Sequence, residues 1–274
     1  MADVAPSESR LEATVGIQPP ARASALGTTL ILLAVALQAA NVFLPRASAW
    51  WVAVALAGLA LTGLATRQVA AVHLALFAAS TVVVLPLPFL RPWPLPLVVA
   101  LVLYGNAALL SPTLRAMPTW LRLGTLDRTT WALVGATIAV SAVALVIWNA
   151  AARPDLARFL GQVPVVPPWA LPLVGIGFAV FNAAAEEAAF RGVLMQSLDA
   201  ALGPGVASLG VQAAAFGVLH RQGFPGGPSG MVLAAIYGVT LGIVRRRSRG
   251  MLAPWIAHVA ADGVIFGIIV LLAR

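Results

Sequence analysis

Long uninterrupted apolar runs dominate the chain and break only at short polar, glycine-rich or proline-rich connections. They cover 26–44, 49–66, 69–89, 95–111, 130–150, 169–197, 204–220, 230–244 and 252–272. A helix rises about 1.5 Å per residue and needs about 20 apolar residues to cross a bilayer core, so most of these runs match a membrane span in length. The pattern predicts an all-α fold, a polytopic membrane helix bundle of eight or nine transmembrane helices. The count turns on LPLPFLRPWPLP (85–96), whose five prolines either separate two spans or shape a broken hairpin that dips into the membrane. The run 230–244 predicts a short helix of about 22 Å.

Polar connections at 112–129 and 151–168 divide the chain into N-terminal transmembrane helices (26–160) and a C-terminal helical core (165–272). Residues 1–25 are polar, with Asp3, Glu8 and Glu12 ahead of any apolar run, and read as a disordered tail rather than a signal peptide.

Composition supports the membrane assignment. The chain is 61% hydrophobic and 9% charged, with a mean hydropathy of +0.94, whereas soluble domains are about 25% charged. A water-soluble fold, a disordered chain and a nucleic-acid-binding protein are excluded. The net charge of +8 comes from 17 basic residues, all arginine, against 9 acidic ones. This usage suggests a GC-rich bacterial genome and loops facing an anionic membrane surface, hence a multi-pass protein of the inner membrane. The cluster RRRSR (245–249) is the firmest cytoplasmic anchor, and the wider arginine bias puts the N-terminus in the cytoplasm. With no cysteine, thiolate, disulfide and iron–sulfur chemistry are closed.

Ionisable groups inside apolar spans cost about 2.5–3.5 kcal/mol each on insertion scales, so they point to function. In the N-terminal half only His73 is of this kind; it has no evident partner in sequence and receives no role. The C-terminal half concentrates the rest: Glu186, Glu187 and Arg191 in FNAAAEEAAFRG, Phe216 and His220 in FGVLH, and His258 and Asp262 in HVAAD. Glu187 and Arg191 stand one helical turn apart and predict a buried ion pair that holds helices in register. Glu186 is rotated by about 100° from Glu187 and is free for another task. His258 and Asp262 are also one turn apart, so the carboxylate is placed to orient the imidazole. Small residues around each group leave room for close helix approach.

A carboxylate and two imidazoles on three helices suit water activation. Glu186 would be the general base, His220 would share the water, and His258 would donate to the developing oxyanion. The same Glu186, His220 and His258 could instead hold one divalent metal ion, zinc by ligand type, that activates the water; the residues alone leave both routes open.

EEAAFR (186–191), FGVLH (216–220) and HVAAD (258–262) match EExxxR, FxxxH and HxxxN/D, in that order. Over about 165–270 the chain therefore resembles the CPBP family of intramembrane proteases, also called the CAAX protease or Abi family, which includes CAAX prenyl endopeptidases and bacteriocin-processing relatives. The resemblance implies that Glu186, His220, His258 and Asp262 are catalytic and that Glu187, Arg191 and Phe216 support them. It also implies a membrane-anchored protein or peptide substrate, carrying a prenylated CAAX-like tail or a C-terminal sorting or leader segment. Many members have asparagine where this chain has Asp262. An ionised aspartate cannot donate to an oxyanion, so Asp262 orients His258 or carries a proton.

Two rivals come from other classes. GPSG (227–230) fits the GxSG of a rhomboid-like serine protease, with Ser229 as nucleophile and His258 as base. That reading leaves Glu186, Glu187, Arg191 and His220 unexplained. A non-enzymatic transporter or scaffold could use the same charges as a proton relay, but no internal repeat supports it. A remaining puzzle is depth, since His258 closely follows the arginine cluster while His220 borders the opposite loop.

Overall fold

The structure is a computed structural model and describes residues 22–90, 92–115 and 118–272. Most of the expected polar tail, Arg10 included, lies outside the described residues. Among those residues there is no strand. The main helices are α1 (Ala25–Asn41), α2 (Ala49–Ala65), α3 (Val69–Val84), α4 (Leu95–Leu110), α5 (Arg128–Ala152), α6 (Leu171–Glu187), α7 (Met195–Leu202), α8 (Val206–Leu219), α9 (Gly227–Ser248) and α10 (Leu252–Leu272). A π-helical segment, Ala188–Leu194, joins α6 to α7 without a break.

Each apolar run falls on a helix, but the helices differ in reach. Five are long and apolar enough to cross a membrane among the described residues: Arg46–Ala65, Arg128–Ala152, Pro168–Leu202, Gly227–Ser248 and Leu252–Leu272. α1, α3 and α4 are apolar but have 16 or 17 residues, about 24–26 Å, less than a bilayer core of about 30 Å. Large apolar side chains cover the outside, among them Trp51, Val140, Phe181 and Ile236, as a lipid-facing surface requires. The proline-rich stretch separates α3 from α4.

α9 corrects the expected short helix. It has 22 residues, about 33 Å long, because polar residues extend both ends of the apolar run. Pro228 sits in the first turn, where its missing N–H costs nothing, and Arg245, Arg246 and Arg247 complement the helix dipole in the last. Arg249 then ends the helix at φ 56°.

Small residues set how α8 lies on α9. A Cβ on Gly217 would stand 2.8 Å from Ala235 Cβ, and one on Gly238 would stand 3.3 Å from Ala213 Cβ. The connection before α5 is strapped to the α9–α10 turn, where Met251 N donates to Arg122 O (2.7 Å), Leu252 N to Leu123 O (3.1 Å) and Thr125 N to Ser248 O (2.8 Å). Gly124, at φ +83°, packs its backbone directly on Gly250, which any side chain would prevent.

Two arginines of the 245–249 cluster also tie helices together. Arg246 pairs with Asp199 at 2.9 Å and donates to Ser208 Oγ at 2.7 Å. Arg247 pairs with Asp127 at 3.0 Å. Asp127 caps α5 by accepting from Thr130 N at 2.7 Å. That hydrogen bond first, and Arg247 after it, hold its carboxyl below the ordinary aspartate range.

The two halves of the chain share one core. Phe190, Val193, Leu194 and Leu198 pack with Ile31, Leu56, Leu74 and Phe77, and Ser197 Oγ donates to Ala70 O at 3.2 Å. His73, which the sequence left without a partner, is fully engaged. Its Nε2–H donates to Leu114 O (3.0 Å), and its Nδ1 accepts from Tyr104 OH (2.7 Å). It is a structural histidine joining α3, α4 and the turn after α4, groups too distant in sequence to be matched by spacing.

Candidate active site

α6 delivers Glu186 and Glu187 at its last turn, with 6% and 1% of their surfaces exposed. The π-helical segment begins at the next residue and carries Arg191, and such widened turns recur at functional sites. α8 brings Phe216 and His220 from one side, and α10 brings His258 and Asp262 from another.

The two glutamates address opposite nitrogens of one imidazole. His258 Nδ1 donates to Glu187 Oε1 at 2.7 Å, while His258 Nε2 lies 3.5 Å from Glu186 Oε2. The rotation of about 100° between adjacent helical positions makes this possible. Arg191 Nη1 lies 3.0 Å from Glu187 Oε1, which gives the expected ion pair, although without hydrogen-bond alignment. Glu187 thus serves both a guanidinium and an imidazole. Glu186 Oε2 is buried and has no hydrogen-bond partner among the described residues.

The expected His258–Asp262 hydrogen bond is not formed. Asp262 Oδ1 stands 3.9 Å from His258 Nε2, beyond hydrogen-bond reach, and it is Glu187 from α6 that orients the ring. Asp262 Oδ2 instead accepts from Asn182 Nδ2 at 2.9 Å, and Asn182 Oδ1 accepts from Trp93 Nε1 at 2.6 Å. Spacing within one helix permits a contact, whereas a neighbouring helix can offer a shorter one.

Phe216 sits at the centre of the assembly. It is 1% exposed, and the Arg191 guanidinium carbon lies 4.5 Å above its ring. The rings of Phe190 (4.8 Å), His220 (4.3 Å) and His258 (6.1 Å) surround it. The depth puzzle is resolved here, because His220 and His258 are neighbours of one phenyl ring. His220 Nδ1 donates to Phe216 O at 2.8 Å, and since a carbonyl can only accept, Nε2 is left as the ring's acceptor. Tyr237 packs edge-on to His258 at 5.7 Å and donates to Ala257 O at 3.1 Å.

Asn182, Trp93 and Tyr237 were not singled out in the sequence. Asn182 had a signal, since it is a polar residue one turn before Glu186 in an apolar run. Trp93 and Tyr237 had none. Ser229 of the GPSG motif accepts from Trp148 Nε1 at 3.0 Å, and both nitrogens of His258 face glutamates, so the structure does not form a Ser229–His258 dyad.

A tetrahedral metal with O and N ligands at about 2.0–2.2 Å sets its donors about 3.4 Å apart. Glu186 Oε2 and His258 Nε2 have that spacing, and Glu187 on Nδ1 supplies the usual support for a ligating histidine. No group of three His, Asp or Glu side chains among the described residues is gathered tightly enough to complete such a site.

Fold and site together define an all-helical, multi-pass membrane protein with a buried carboxylate–imidazole centre on three helices. Residues 168–264, which contain all three motifs, match the family model for type II CAAX prenyl endopeptidase Rce1-like proteins. Over these residues the chain is similar to that family of CAAX endopeptidases, in agreement with the resemblance the three motifs carry. No curated protein and no solved structure matches the chain.

Proposed function

We propose that the protein is an intramembrane endopeptidase in which Glu186 and His220 activate a water molecule to cleave a peptide bond of a membrane-anchored substrate. The observation that carries this is Glu186 Oε2, a buried carboxylate oxygen without a hydrogen-bond partner among the described residues, 3.5 Å from His258 Nε2.

With Nδ1–H committed to Glu187, Nε2 is the nitrogen His258 offers to the reaction. Glu186 takes a proton from water as the water oxygen bonds to the scissile carbonyl carbon, and His220 Nε2 accepts a hydrogen bond from the same water. The carbonyl oxygen becomes an oxyanion, which a protonated His258 Nε2 stabilises by donating to it. The Glu186 proton passes to the leaving nitrogen as the C–N bond breaks, which restores the carboxylate. Arg191 and Phe216 hold Glu187 and the two imidazoles in place.

The substrate is a prenylated CAAX-like tail or a C-terminal sorting or leader segment. The arginine-only usage, read as a GC-rich bacterial origin, favours the second. Eight or nine helices cross the membrane in this reading, with α1, α3, α4 and α8 as the shorter ones, the catalytic core at 165–272 and the N-terminus in the cytoplasm of a bacterial cell.

The test uses purified full-length protein in lipid nanodiscs. Its substrates are an internally quenched farnesylated CAAX peptide and a model substrate ending in an apolar helix. Glu186→Gln and His220→Ala are expected to lower kcat by about 10²–10⁴-fold, and His258→Ala by about 10²–10³-fold. Ser229→Ala is expected to cleave at the wild-type rate. Full activity in Glu186→Gln would remove the proposed base, and loss of activity in Ser229→Ala alone would install the serine mechanism instead. Activity is expected to survive exhaustive chelation. Loss that zinc restores would transfer water activation to a metal, with His220 turning in as the third ligand.

A further inference from the structure

The chain of contacts from Trp93 through Asn182 to Asp262 belongs to none of the three motifs, and its consequence rests on the peptidase reading above. An indole N–H can only donate, so the atom of Asn182 that meets Trp93 Nε1 at 2.6 Å is the amide oxygen. The amide nitrogen is then turned toward α10, where it donates to Asp262 Oδ2 at 2.9 Å. Neither Asn182 nor Asp262 is more than 4% exposed, so water does not compete for the contact between them. The donor-only indole therefore fixes which end of the Asn182 amide faces Asp262, and the carboxyl oxygen it meets is Oδ2. Oδ2 is engaged as an acceptor, which favours Oδ1 as the oxygen that carries a proton on Asp262. That is the oxygen 3.9 Å from His258 Nε2, the same nitrogen that Glu186 faces at 3.5 Å.

We propose that Asn182, locked by Trp93, is a positioning residue that commits Asp262 Oδ2 and turns Oδ1 to the reaction space beside His258 Nε2. There Oδ1, when protonated, donates a hydrogen bond to the oxyanion that forms as water attacks; no bond to Asp262 is made or broken. Asp262 thus acts on the reacting atoms rather than on the orientation of His258, which belongs to Glu187. Trp93 lies in the connection between α3 and α4, so the N-terminal half of the chain contributes to a site whose motifs all lie in the C-terminal half.

The test has one readout independent of cleavage. The chain has three histidines, so ¹⁵N-histidine labelling of the full-length protein in nanodiscs yields three imidazoles, assignable by His→Gln substitution. Asn182→Leu keeps the branched shape and removes both the donor to Asp262 and the acceptor for Trp93. It is expected to shift the His258 Nε2 resonance well beyond its linewidth, while His73, held by Tyr104 and Leu114 O, stays in place and reports an intact fold. Asn182→Asp sets two carboxyls face to face and is expected to shift it as well. Asn182→Asp with Asp262→Asn rebuilds one amide–carboxyl pair and is expected to return the resonance toward its wild-type position. Trp93→Phe, which keeps an aromatic ring and loses the N–H, should shift it in the direction of Asn182→Leu by a smaller amount.

In cleavage of the farnesylated peptide, Asn182→Leu and Asn182→Asp are expected to lower kcat by about 10–100-fold with KM unchanged. The double variant should stay low in kcat even as its pair reforms, because the amide at 262 then turns its oxygen, which cannot donate, to the oxyanion. A double variant that cleaves at the wild-type rate would deny position 262 the donor role, and a wild-type His258 resonance and kcat in Asn182→Leu would reduce the contact to a bond that merely joins helices. If the wild-type protein cleaves neither probe substrate, the peptidase reading fails, and the His258 resonance still decides whether Asn182 sets the geometry around it.

Discussion

At the scale of single residues, Glu187 carries more than its motif position implies, because one of its oxygens meets both Arg191 and His258. The orienting and structural tasks can be separated. Removing only Arg191, as in Arg191→Ala, leaves the buried Glu187 carboxylate with His258 alone and is expected to cost about 3 kcal/mol in a thermal unfolding measurement. Replacing both partners with apolar residues of similar size, Glu187→Leu with Arg191→Met, is expected to restore most of that stability. Cleavage should stay at least about tenfold down, because His258 has lost its Nδ1 partner. A double variant that is both stable and fully active would deny Glu187 its orienting role. The Glu187–Arg191 pair was legible in the sequence because both groups share one turn. The His258–Glu187 contact was not, because its partners lie 71 residues apart and meet only when α6 and α10 pack.

Among the elements, the α8–α9 contact controls where His220 and Phe216 stand. A Cβ at Gly217 would lie 2.5 Å from Met231 O as well as 2.8 Å from Ala235 Cβ, so backbone rather than a flexible side chain must yield. Gly217→Ala is expected to cost about 1–3 kcal/mol by overpacking, and to lower kcat by displacing His220. Gly210→Ala on the same helix meets nothing within 4 Å. It is the control, expected to hold or raise the unfolding temperature with activity intact. Equal effects at the two glycines would show that α8 is not held by close approach. Apolar runs located α8 and α9 but underestimated α9, since arginine side chains at a helix end stay in the helix while leaving the apolar pattern.

For the molecule as a whole, the three motifs lie in one C-terminal segment, yet the structure does not leave that segment alone. Its π-helical turn and α7 share a core with α1, α2 and α3, and Trp93 reaches Asn182. Residues 162–274 expressed alone are therefore expected to show no cleavage, and co-expression with residues 1–161 should restore both activity and co-purification. Activity of the isolated C-terminal part at the wild-type rate would confine the enzyme to its motifs.

The sequence by itself determined the membrane environment, the all-helical class, the location of every main helix except α7 and the identity of the ionisable groups placed among apolar residues. These are local matters: run length against bilayer thickness, the cost of burying charge, and spacing within one helical turn. Only the tertiary structure decided that His258 is held by Glu187 rather than Asp262, that Asp262 belongs with Asn182 and Trp93, and that His220 and His258 meet across Phe216. Each of those contacts joins different helices, and which side chains meet depends on helix rotation, tilt and small-residue packing that no single run of residues encodes.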